Sequence, residues 1–135
     1  MNIDLLSAMR FNDPAGIADF LLQHRLAHVE LNNAITAKTG QTLGAPGLDA
    51  TTVQAAWVRA MDGGPEQELL PGDAQALADW LTWHDGLHQA EYFAIGYGTA
   101  PDMSQLDFRR EDAFYNWMFT HAQVHDVIAS ALGLS

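Results

Sequence analysis

Apolar residues recur along this chain at the spacing of a helix face in three long stretches. At about 100° per residue, Ile17, Phe20, Leu21, His24, Ala27, His28, Leu31 and Ile35 fall on one stripe. Leu77, Trp80, Leu81, His84, Leu87, His88 and Ile95 form a second stripe. Phe114, Trp117, Met118, His121, Val124, His125, Ile128 and Leu132 form a third. No segment alternates with period two, so no strand is expected.

Capping residues bound these stripes. Asp13 caps a helix that starts at Pro14, where no amide hydrogen is needed, and runs to about Lys38, with Gly40 as its stop. After a loop over Gln41 to Leu48, Asp49 or Thr51 caps a shorter helix through Val53, Trp57 and Val58 toward Met61, closed by Gly63-Gly64-Pro65. Asp73 caps a helix from Ala74 to about Ile95, stopped by Gly96 and Gly98. The last helix is expected from near Asp107, with Glu111 and Asp112 in its first turns, to Gly133. The expected fold is all-α: one domain over residues 1–135, a mostly antiparallel four-helix bundle with a central histidine layer.

The histidines fall inside the stripes, and this changes the picture. All six form pairs at spacing i, i+4: His24 with His28, His84 with His88, and His121 with His125. Random placement of six histidines gives ~0.2 such pairs. An aromatic precedes each pair by four residues, Phe20, Trp80 and Trp117 in turn. Each pair sits near mid-helix, so the three pairs can share one interior layer.

Buried imidazoles need partners, since an unsatisfied polar group costs ~1–3 kcal/mol. One solution is a transition metal such as zinc or iron, held by His24, His28, His84, His88, His121 and His125, with Glu91 as the best-placed carboxylate seven residues after His84. The other is a metal-free polar layer in which the rings bond to one another, to Glu91, to carbonyls or to water.

Composition narrows the function classes. The 135 residues are 48% apolar and carry 17 acids against six bases, a formal charge of −11 that opposes contact with phosphate backbones or anionic membranes. There is no cysteine, so metal ligands are confined to nitrogen and oxygen. Met1 to Arg10 does not read as a signal-like leader and no apolar run reaches membrane length, so the chain is expected in a cytoplasm or packaged from one. No HExxH helix, phosphate-binding glycine loop or serine elbow occurs, and no catalytic residue is assigned. Trp83, Tyr92, Phe93 and Tyr97 cannot all share the stripe of Trp80, His84 and His88, so they are read as an interface.

Leu106-Asp107-Phe108, Phe114-Tyr115-Asn116-Trp117-Met118, His121-x3-His125 and Leu132-Gly133-Leu134 resemble small uncharacterised proteins encoded among the virion genes of tailed bacteriophages. That resemblance implies a non-enzymatic assembly module of head, neck or tail, in host cytoplasm or virion, whose partners are itself or other virion proteins. The inward histidines also look like haemerythrin-like and ferritin-like metal bundles. From these the sequence departs by having no Glu-x-x-His and few inward acids. The first reading is therefore the assembly module, and the alternative is a non-haem metal-binding protein.

Overall fold

A computed structural model describes residues 10–43 and 50–134. Its elements are α1 (Pro14–Thr39), α2 (Ala50–Gly63), α3 (Pro71–Ala94) and α4 (Glu111–Ala131), with no strand among the described residues. Among the described residues no helix is long and apolar enough to cross a membrane.

α1 begins as its sequence dictates. The amide of Gly16 donates to Asp13 Oδ1 at 3.0 Å, and Pro14 occupies the first turn. A Cβ on residue 16 would stand 2.3 Å from Asp13 Oδ2, so any other residue there would make the capping carboxylate shift. Gly40 ends the helix at φ 77°, a left-handed conformation in which its amide donates to the Thr36 carbonyl.

Two of the expected helix starts differ, those of α3 and α4. Asp49 lies outside the described residues, and Thr51 is inside α2 rather than capping it. α3 starts at Pro71, three residues before Ala74, which puts Asp73 in the first turn. There Asp73 is buried and accepts two hydrogen bonds from Arg59, at 2.6 and 2.8 Å, tying α3 to α2. α4 starts at Glu111, because the Asp107 carboxylate instead accepts from the Arg109 backbone amide and guanidinium, closing a turn ahead of the helix.

Helix direction departs from the expected antiparallel arrangement. Phe11 packs on Phe114 at 5.7 Å, His24 on His121, His28 on His125, and Lys38 Nζ donates to the Ala131 carbonyl at 2.8 Å. Partner numbers rise together, so α1 and α4 are parallel. The pairs Trp80–Trp117, His84–His121 and His88–His125 make α3 and α4 parallel as well. Only α2 runs the other way, with Trp57 against Trp80 and Arg59 against Asp73.

The segment 95–110 makes this possible. α3 is 24 residues, about 36 Å, and an extended segment of this length reaches further than that. The segment runs back along α3. The Gln89 amide group exchanges two hydrogen bonds with the Ala100 backbone, the Met103 amide donates to Asp85 Oδ1, and Phe108 reaches Trp57 at 4.8 Å. The chain thus re-enters α4 at the end where α3 began.

Candidate metal centre

The three parallel helices bring equivalent positions to equal depth. His24, His84 and His121 form one triangle, with ring centroids 4.4, 4.8 and 4.9 Å apart. His28, His88 and His125 form a second, with separations of 4.6, 5.2 and 5.2 Å. Within each helix the i, i+4 spacing stacks one triangle on the other at 4.0 to 4.4 Å. All six rings are at most 2% exposed.

The rings turn their Nε2 atoms toward one another. Contacts run from His28 to His24 at 2.9 Å, His24 to His121 at 3.0 Å, His121 to His84 at 3.2 Å, and His88 to His125 at 3.3 Å. One nitrogen from each of the six rings lies within 4.8 Å of one from every other. These six buried histidines can hold a metal ion.

The aromatic four residues upstream sets each ring's plane. Phe20 stacks on His24 at 17°, Trp80 on His84 at 29°, and Trp117 on His121 at 11°. The repeated aromatic-x3-His motif is therefore a rotamer lock, with the flat apolar ring one turn below holding the imidazole edge inward. Trp117 is itself fixed by donating Nε1–H to the Met103 carbonyl at 3.2 Å. Its ring also lines an outer groove of about 630 Å³ between the 102–109 segment and α4.

Glu91, expected among the ligands, stands behind them. Its Oε2 lies 3.0 Å from His28 Nδ1, the nitrogen facing away from the cluster, and the carboxylate is fully buried. The reason is reach: Glu91 sits almost a full turn beyond His88 and meets the outer edge of His28 on α1. A carboxylate on the far nitrogen of a ligating histidine fixes its tautomer and orientation.

Burial controls the protonation of this layer. Loss of solvent pushes His28 down to about 3, and it holds the other five imidazoles well below the ordinary value of 6.5. Neighbouring imidazoles push these five further the same way. Glu91 is pushed well above the usual carboxylate range, again by burial. A cation among the Nε2 atoms would reverse that preference, favouring an ionised Glu91 able to accept the Nδ1–H of His28.

Neutral rings alone satisfy this geometry poorly. Each Nε2 offers one hydrogen or one lone pair, and His24 and His121 each face two neighbours, so at most three of the four contacts are hydrogen bonds. The Nδ1 atoms of His84, His88, His121 and His125 have no partner among the described residues.

The expected interface residues separate. Tyr92 is buried against the core, and Trp83 is half-buried, packed on it, with its ring 6.2 Å from that of His84. Phe93 and Tyr97 are exposed, at 75% and 57%. Counting stripes placed Tyr92 off the core because it took one stripe per helix, whereas α3 packs against α1, α2, α4 and the returning segment. Sequence reasoning missed Leu22, Leu26, Val29 and Phe119, which are exposed on the faces of α1 and α4 opposite the histidines.

Compared with models of known protein families, with curated protein sequences and with solved structures, the chain matches none.

Proposed function

We propose that the protein is a non-haem transition-metal-binding helical bundle whose six histidines are the site. The observation that carries this reading is the convergence of six imidazole nitrogens in a layer sealed from solvent. Neutral imidazole suits iron, cobalt, nickel, copper and zinc, and the depressed basicity of these rings keeps their lone pairs free at neutral pH. Each ion bound to the folded state alone adds to stability, by ~4 kcal/mol when free metal is a thousandfold above its dissociation constant. The donor set differs from haemerythrin-like and ferritin-like centres, because the carboxylate nearest the cluster faces an outer nitrogen. Elemental analysis of protein purified without a histidine tag tests the reading. Stoichiometric transition metal, or a large upward shift in melting temperature on adding it, is expected. Metal-free protein whose melting ignores added nickel, cobalt, iron and zinc would overturn it.

The exposed Phe93, at 75%, and Phe119, at 66%, favour a second reading compatible with the first, a module that assembles with copies of itself or other proteins. The virion assignment suggested by resemblance belongs to this reading. Light scattering at rising protein concentration tests it, and a strict monomer with no partner would remove it.

A further inference from the structure

Resting on the metal-binding reading, we propose that the cluster takes a single divalent ion in six-coordinate, all-imidazole geometry, leaving no position open to substrate or dioxygen. The ion class is that of ferrous iron, cobalt(II) and nickel(II) rather than zinc.

The argument is one of distances. Six nitrogens about 2.1 Å from one ion form an octahedron with edges of about 3.0 Å and diagonals of about 4.2 Å. The short contacts between Nε2 atoms are 2.9, 3.0, 3.2 and 3.3 Å, which are edge lengths. The largest separation, 4.8 Å, exceeds the diagonal by about half an ångström, which small side-chain rotations close. Two stacked triangles, one from each row of histidines, are also how three ligand pairs on a threefold array make an octahedron.

Two ions do not fit. Metals about 3.5–4 Å apart, each capped by one triangle, hold nitrogens of opposite triangles about 5 Å or more apart. The shortest contact of all, His28 to His24 at 2.9 Å, joins the two triangles. A four-coordinate ion would leave two buried imidazoles unused in the same small volume, and zinc takes four ligands in almost all structural sites.

Charge selects the oxidation state. All six donors are neutral, and Glu91 is the buried carboxylate that meets them, on His28. A divalent ion with that carboxylate leaves one net buried charge, and a trivalent ion leaves two. A filled, dry, neutral shell suits holding an ion or stapling three parallel helices; it does not suit turning over a substrate.

The test loads the intact, untagged protein with cobalt(II) and separately with nickel(II). One ion per chain, the weak visible bands of six-coordinate cobalt, a spectrum unmoved by azide, and nickel outcompeting equimolar zinc are expected. In His125→Ala, azide should shift the cobalt spectrum, because a position has opened. Should that variant not fold, the wild-type stoichiometry and spectrum still decide. Two ions per chain, intense four-coordinate bands, or azide binding to the wild type would overturn the six-coordinate assignment while leaving metal binding standing. Failure to bind either metal would overturn both.

Discussion

Phe20, Trp80 and Trp117 lie four residues before His24, His84 and His121 on the same three helices, and both sets are at most 5% exposed. The aromatic layer is almost wholly apolar, and Trp57 Nε1 is the buried atom in it without a partner among the described residues. Trp57 from α2 and Phe108 from the returning segment fill its remaining space, with ring centroids 4.8 to 5.9 Å apart. It stabilises the bundle by burial and edge-to-face contact. The histidine layer one turn above is packed as closely, yet it leaves four Nδ1 atoms and Glu91 Oε1 without partners among the described residues. Burial therefore acts differently in the two layers: the first holds the helices together, and the second is held together by them, since a ligand on its converging Nε2 atoms would supply no partner to these Nδ1 atoms.

Acid should break this comparison most strongly. In the metal-free protein the imidazoles are held neutral, His28 down to about 3 and the others well below 6.5, so below pH 6.5 the unfolded chain binds protons that the folded one refuses. Stability then falls as pH falls. One unit below 6.5, each group contributes a loss of ~1.4 kcal/mol and six together about 8, comparable to the whole stability of a small domain. Glu91, raised by burial, acts with the opposite sign as one group against six. Cooperative loss of helical signal between about pH 6.5 and 5 is expected by circular dichroism. A melting temperature that is flat across that range would show the layer to be hydrated or already charged.

Next in size is the aromatic layer itself. Trp57 is fully buried against Phe20, Trp80 and Phe108. Trp57→Ala should cost ~3–5 kcal/mol in chemical denaturation at neutral pH. The same substitution should leave the metal-loaded histidine spectrum almost unchanged where the protein still folds, since Trp57 stacks on no imidazole.

Glu91→Gln sharpens the comparison from the other side. Burial favours the uncharged carboxyl in the metal-free protein, so the amide is nearly isosteric there and the melting temperature should move little. With metal present, the lost carboxylate behind His28 should weaken affinity about 10- to 100-fold, measured by competition with a chromophoric chelator. Equal effects on the metal-free and loaded proteins would mean that Glu91 serves packing alone.

Much of this arrangement was legible in the sequence because its period is local. The 3.6-residue stripes and the Asp13-Pro14 and Gly40 signals set the long helices, and the three i, i+4 pairs placed every histidine inward. Helix direction was not legible. Parallel α3 and α4 depend on the 95–110 segment running back along α3, through the Gln89, Asp85 and Met103 contacts that no periodicity encodes. Asp73 was misread for a related reason: as a sequence signal it is a cap, and its partner Arg59 lies in another helix. For Glu91 the face was legible and the contact was not, since face is set by angle along one helix and the contact, with His28 Nδ1, by the position of another helix.

The smallest effect should come from the face opposite both layers. Leu22, Leu26 and Val29 on α1, and Phe119 on α4, are about half to two-thirds exposed and lie outside the hydrophobic core. Removing one therefore takes almost nothing from the core, and exposed positions of this kind change stability by less than ~0.5 kcal/mol. Phe119→Ser should leave the denaturation midpoint and metal loading as they were. If these residues meet a partner, the substitution acts elsewhere, because an aromatic buried on association contributes through area that the isolated chain never buries. Sedimentation at rising concentration, with Leu26→Ser and Phe119→Ser beside the parent, separates the cases. A shift toward smaller species with unchanged stability would make this face an interface. Unchanged mass in all three proteins would leave its apolar residues as ordinary exposed surface, and the layer of imidazoles as the part of the molecule on which function turns.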